Sequence, residues 1–265
     1  MCTDQLLLDL SDPAQIVGLS PFAADFRRSW AAGRAESFPR LSGTAEEVMV
    51  IKPDLVVSGR FTRQATHAFI RAHNIAIEEF EPARSIAESR QQILRFGEIT
   101  GGTARAAARV AELDAAVLAL RSVAKGARLR VLPLSRRGWV AGSQSLVSDL
   151  LVQAGLINSG SELGLKAGGF ASLEAIATLK PDAILVSQAD RKAEDQGSAM
   201  LLHPAIEMLF PPERRIILPE RLTVCGGPML VEAMQQLARQ IESLKTREAA
   251  PLGLTAPSYV NGQSR

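Results

Sequence analysis

Residues 46–57 read EEVMVIKPDLVV, and residues 174–185 read EAIATLKPDAIL. The two stretches align at a constant offset of 128 residues, which pairs Glu46 with Glu174, Ile51 with Leu179, Lys52 with Lys180, Pro53 with Pro181 and Asp54 with Asp182. The pattern has a mechanical meaning. Apolar residues three apart mark one face of a helix. The proline then stops that helix, because its ring and missing N–H cannot continue the ladder. Aspartate turns the chain, and an apolar strand enters a sheet. Each copy of this device is followed by a further helix and strand, over 62–80 in the first and 203–218 in the second.

Between the copies, residues 103–123 read TARAAARVAELDAAVLALRSV. These are strong helix formers with little side-chain entropy to lose. Gly101 and Gly102 precede the run, while Lys125 and Gly126 close it with a cation and a C-terminal glycine. Such a helix is a rod of roughly 30 Å at 1.5 Å per residue. The repeat on either side makes it a connector between two lobes. Working outward, strands are expected at 16–20, 55–58, 75–80, 129–134, 183–187 and 215–218, and helices at 62–72, 145–154, 204–209 and 228–244. Strands alternating with helices imply an α/β protein with mostly parallel sheets. The expected division is a Rossmann-like lobe over 1–102, a connecting helix over 103–125, a second Rossmann-like lobe over 126–246 and a flexible tail over 247–265.

Composition narrows the function. The chain has 265 residues, 46% hydrophobic and 22% charged, with a formal net charge of +2. That balance offers no electrostatic footprint for nucleic acid or an anionic membrane surface. Cys2 and Cys225 allow at most one internal disulfide. The opening MCTDQLLLDLSDP lacks the basic and long apolar regions of a secretion signal.

Enzyme signatures are missing: there is no GxxxxGK[ST], GxGxxG, HExxH, CxxC or GxSxG. His67, His73 and His203 have no neighbours at metal-ligand spacing, so structural or solvated roles are expected, with His203-Pro204 opening a helix. No catalytic residue, resident metal or cofactor is expected. Glu46 and Glu174 fall in the first turns of their helices, where carboxylates complement the helix dipole. Thr44 to Glu47 form a capping box in which Glu47 is the structural member, leaving Glu46 to solvent. Two exposed carboxylates at equivalent places would suit a partner with two equivalent arginines. Arginine, aromatic and small polar residues collect after the expected strands, where open α/β sheets bind ligands.

These stretches resemble the substrate-binding proteins of ABC importers for ferric siderophores, heme and vitamin B12, in which one helix joins two α/β lobes. The resemblance rests on MCTDQLLLDL followed by QIVGLSPFA, on AEEVMVIKPDLVVSG, GWVAGSQSLVSDLLVQAGLIN, SLEAIATLKPDAILVS and LTVCGGPMLVEAMQQLA. It implies a ligand between the lobes, held by Cys2, Thr3, Asp4, Arg60, Phe61, Arg136, Trp139, Gln188 and Cys225. It implies docking to an inner-membrane permease through Glu46 and Glu174, a periplasmic address, a monomer, and small opening motions. It also implies a secretion signal and a strand upstream of Cys2, so a natural start before Met1 is expected. Cys2 and Cys225 would lie on cleft loops of opposite lobes, either paired, in contact with ligand, or as separate thiols. Arg60, Arg63, Arg136 and Arg191 suit carboxylate or catecholate groups. The single tyrosine, Tyr259, argues against ligation of a bare ferric ion, so a metal would arrive chelated. The expected cargo is a metal chelate or corrinoid (ferric siderophore, cobalamin or heme). An enzyme or a ligand-sensing adaptor using the same cleft is the alternative.

Overall fold

The computed structural model describes residues 1–60, 64–187 and 200–249. Helix α1 (Cys2–Leu10) opens the chain, followed by the short α2 (Ala32–Ala35), α3 (Ala45–Ile51), β1 (Leu55–Gly59), α4 (Gln64–Ala72), β2 (Ala76–Phe80) and α5 (Ile86–Thr100). The long α6 (Thr103–Ala124) leads to β3 (Arg130–Pro133), β4 (Trp139–Ala141), α7 (Leu146–Gln153), β5 (Ile157–Asn158), β6 (Gly168–Phe170), α8 (Leu173–Leu179) and β7 (Ala183–Val186). The last elements are α9 (Pro204–Leu209), β8 (Arg215–Ile217) and α10 (Met229–Ala249).

Both main sheets are parallel, as alternating strands and helices require. In the first lobe β1 pairs with β2, Leu55 opposite Ala76 and Gly59 opposite Phe80. In the second lobe the order is β5-β3-β7-β8. The two copies of the repeat are alike in backbone detail. Helices α3 and α8 each end on a lysine in left-handed conformation, Lys52 at φ 51° and Lys180 at φ 47°, directly before the proline.

The expected strand at 16–20 is reduced to one parallel bridge between Leu19 and Arg40. Leu19 donates to Pro39 O and accepts from Leu41 N, and the pairing goes no further. Conversely, β4 and β6 form an antiparallel ribbon that periodicity could not show, since each has three residues. Helix α10 runs to Ala249, so residues 247–249 are helical where a tail was expected. Residues 250–265 lie outside the described residues. No described helix is long and apolar enough to cross a membrane.

Helix α6 does connect the two sheets, but it is packed rather than free-standing. Ala106, Leu113, Val117, Leu120 and Ala124 form one buried stripe at helical spacing, and the helix lies along both α5 and α10. Its last carbonyls, Val123 O and the adjoining Lys125 O, each accept from Lys245 Nζ of α10 at 2.8 Å, which satisfies groups a helix end leaves open. Asp9 of α1, fully buried, receives Arg109 of α6 at 2.8 Å and Arg34 at 3.0 Å. One continuous core therefore includes Leu10 and Phe96 before α6 and Leu150, Ile216 and Leu237 after it. A second core, around Leu132, Ile176, Ile184 and Phe210, belongs to the second lobe alone.

A disulfide joins Cys2 to Cys225 across 223 residues of sequence. In a chain-entropy picture, closing so long a loop restricts the unfolded ensemble by roughly 5 kcal/mol. The two-thiol alternative is thereby replaced by a covalent link between the ends of the fold.

Candidate ligand cleft

The duplicated helices place their glutamates alike. On α3, Thr44 Oγ1 accepts from Glu47 N at 3.5 Å. The Glu47 carboxylate reaches further back than a reciprocal box requires, accepting from Ser42 Oγ at 2.6 Å and Gly43 N at 3.2 Å. The Ser42 hydroxyl, aided by backbone N–H groups, holds the Glu47 carboxyl below its ordinary value. On α8, Ser172 Oγ accepts from Ala175 N at 3.2 Å. The Glu174 carboxyl is lowered by its own backbone N–H and then by the Ser172 hydroxyl. Glu46 and Glu174 each stand two residues past the cap, and both are exposed.

On the first lobe, the expected ligand residues divide. Thr3 and Asp4 are buried. Asp4 accepts from Ser20 N at 3.1 Å and Ser20 Oγ at 2.6 Å, fixing the start of the 20–31 loop against α1. Its carboxylate therefore serves the fold. Cys2 and Cys225 are bonded to each other, which removes both as thiol ligands. Arg60, at the end of β1, pairs with Glu81, whose carboxylate raises the guanidinium further above its ordinary value. It lines a depression of about 490 Å³ with Phe80, Pro82, Arg84, Gln92 and Arg95. Phe61 and Arg63 lie outside the described residues. The 20–31 loop after α1 carries two exposed aromatics the sequence reading missed, Phe22 at 53% and Phe26 at 62% exposure.

On the second lobe, Arg136 and Trp139 are exposed at the end of the β3 turn. Trp139 meets Phe170 edge-on, with ring centroids 5.1 Å apart, across the β4–β6 ribbon. The Arg137 guanidinium stands 6.0 Å over the Phe170 ring, within cation–π range. Gly168 makes this packing possible: at φ 149°, a Cβ there would stand 2.8 Å from Trp139 Cζ2. Arg137 belongs to the polar stretch expected after the 129–134 strand, whereas Phe170 was not foreseen. An exposed aromatic beside consecutive arginines was the available signal. Gln188 and Arg191 lie outside the described residues.

The lobes meet at the N-termini of α5 and α7. Asp149 Oδ2 of α7 accepts from Ile86 N of α5 at 2.7 Å, a cap supplied from the opposite lobe. A pocket of about 400 Å³ opens beside it, lined by Arg84, Ser85 and Glu88 on one side and Ser143, Gln144 and Ser148 on the other.

The histidines behave as structural groups. His203 Nδ1 caps α9, accepting from Ala205 N at 3.2 Å. His67 is buried with its Nε2 2.8 Å from Ser58 Oγ. Its Nδ1 lies 3.3 Å from Glu79 Oε1 but is poorly aligned for a hydrogen bond. Ser58 and Glu79 are register partners on β1 and β2, so this set ties α4 to the sheet. Among the described residues, no cluster of His, Cys, Asp or Glu could hold a metal ion.

Two parallel-sheet lobes bridged by one packed helix, with arginines and exposed aromatics at the strand ends, define a two-lobe solute-binding architecture. The family model described as periplasmic binding protein matches residues 1–207, and the chain belongs to that family. It is 25% identical over 205 residues to a cobalamin-binding protein of Halobacterium salinarum, covering 74% of this chain and 54% of that protein. The chain thus spans about half the length of the curated relatives it matches. In fold it is similar to the periplasmic heme-binding protein RhuT from Roseiflexus sp. RS-1, with a TM-score of 0.74, 23% identity, and 92% and 95% of the two chains covered. It is also similar to the periplasmic vitamin B12 binding protein BtuF of Vibrio cholerae, with a TM-score of 0.69, 14% identity, and 91% and 94% covered.

Proposed function

We propose that the protein is a non-catalytic periplasmic receptor, divided at the 103–125 helix, that captures a metal chelate or corrinoid between its lobes. It then delivers that cargo to an ABC permease in the inner membrane. The observation that carries this reading is the pair Glu46 and Glu174: two exposed carboxylates at the same position of two corresponding helix–KPD–strand units. A partner with two equivalent arginines would engage both with charge-assisted hydrogen bonds. The cargo side is supported by the Trp139–Phe170–Arg137 cluster with Arg136 beside it, which offers an aromatic face and cations to a conjugated, partly anionic ligand. The cobalamin-binding relative and the heme- and B12-binding structural neighbours suggest the ligand set to try first.

Two measurements test the reading. Titrating heme, cyanocobalamin and ferric siderophores should give saturable quenching of Trp139 by one class at micromolar concentration or below. No quenching by any of the three would remove the cargo assignment. Glu46→Arg combined with Glu174→Arg should leave that affinity unchanged while abolishing uptake in cells carrying the permease. Lost affinity, or preserved uptake, would overturn the docking assignment.

A further inference from the structure

The Cys2–Cys225 disulfide sits within a polar assembly that spans the lobes. Gln5 of α1 is fully buried, and its two amide ends have different partners. Its Nε2 donates to Cys225 Sγ at 3.3 Å, and its Oε1 accepts from Trp30 N at 2.8 Å. The Trp30 bond fixes which end of the amide faces the sulfur, because only Oε1 can accept from a backbone N–H. Trp30 in turn donates from Nε1 to Glu232 Oε2 of α10 at 3.0 Å. The loop after Cys225 is pressed onto the first lobe: a Cβ on Gly226 would stand 2.5 Å from Ala83 Cβ and 3.2 Å from Ser89 Cβ. Trp30 closes the 20–31 loop that carries Phe22 and Phe26.

We infer that Cys2–Cys225 and Gln5 form a reducible clasp between the lobes, with Gln5 as a positioning residue that makes Cys225 the leaving sulfur and couples the bond to the 20–31 loop. The two cysteines differ in access. Cys225 is 2% exposed, whereas Cys2 is half-buried at the edge of α1. A thiolate from a dithiol reductant therefore attacks Cys2 Sγ, forming a mixed disulfide there, and the S–S bond breaks toward Cys225. The departing Cys225 thiolate is met by the Gln5 N–H, which lowers its basicity and favours its leaving. It then takes a proton. The second thiol of the reductant attacks its own mixed-disulfide sulfur and releases Cys2 as a thiol. The reductant ends as a disulfide, having given up two electrons and two protons, and the protein ends with two thiols. Release frees the Cys225–Gly227 turn from α1 and removes the sulfur that holds one end of the Gln5 amide, which loosens Trp30.

The test uses the full chain without ligand, so its outcome is independent of the cargo. Brief treatment with dithiothreitol, iodoacetamide quenching and peptide mapping should find the first reduced species with the reagent attached at Cys2 and the alkyl label on Cys225. The opposite labelling would overturn the assignment of the leaving sulfur. Gln5→Leu removes the amide. Gln5→Glu keeps an acceptor for Trp30 N but offers no donor to the sulfur, so it separates this role from packing. Both variants should be reduced about tenfold more slowly than the parent; rates equal to or faster than the parent in Gln5→Glu would overturn the role of Gln5. In the parent, reduction should accelerate hydrogen exchange at Trp30 N at least tenfold while leaving β3 and β7 unchanged. Unchanged exchange at Trp30 would overturn the coupling to the loop.

Discussion

Strands β1 and β7 hold equivalent places in the two copies of one repeat, yet β7 is buried along its whole length and β1 at none of its residues. The flanking elements account for the difference. β7 has β3 on one side and β8 on the other, whereas β1 has β2 alone among the described residues. The neighbours also serve the turn before the strand. Asp182 Oδ2 accepts from Arg130 N at 2.7 Å, and Arg214 donates to Asp182 O at 2.7 Å and Pro181 O at 2.6 Å. Asp54, at the matching position, has no such side-chain bond among the described residues. The repeated sequence therefore sets helix, cap and turn in both halves, while burial and turn stability depend on what lies alongside. A short motif carries local conformation and not its environment.

The contrast can be broken most directly in the strands. Ile184→Ala should cost about 3–4 kcal/mol, within the range for truncating a buried aliphatic side chain, and Val56→Ala about 1 kcal/mol. Urea unfolding of the two variants checks this; equal losses would mean that β1 is as deeply packed as β7. A smaller effect separates the turns. Asp182→Ala leaves Arg130 N without its acceptor and should cost about 1–2 kcal/mol, while Asp54→Ala should stay within about 0.5 kcal/mol. Matching midpoints for the two would erase the distinction. The smallest effect concerns the first turns of the two helices, where the halves use different positions: Glu47 is matched by Ala175, and Glu174 by Glu46. Folding lowers the carboxyls of Glu47 and Glu174, so the stability each adds is present above the ordinary glutamate value of about 4.3 and is lost as pH falls through the lower folded value. Glu47→Gln and Glu174→Gln should each flatten the acid limb of a stability–pH curve below that point. A curve that neither substitution changes would show that the two carboxylates add no stability to their first turns.

Much of this architecture was legible in the residues because it is written locally. The KPD punctuation, the Ala-rich run of α6 and the His203-Pro204 helix start each act within a few positions, and five of the six expected strands formed near their expected places. Strand 16–20 failed because apolar composition alone does not supply a pairing partner. The β4–β6 ribbon escaped because three-residue strands carry no usable period, and Gly168-Gly169 reads as loop. The inward turn of Asp4 toward Ser20 and the cross-lobe cap of Ile86 by Asp149 depend on approaches over 16 and 63 residues. No local pattern encodes either. Phe22, Phe26 and Phe170 were readable only as apolar residues, and their exposure is a property of the folded surface.

The link from Cys2 to Cys225 has a topological meaning as well. It turns all but the first residue and the last stretch of chain into one covalent ring, with both sheets and α6 inside it. A single cut in any surface loop of that ring opens it without dividing it. The two pieces remain one molecule, each lobe still tethered to the other by the sulfur bridge, and they part only when that bridge is reduced.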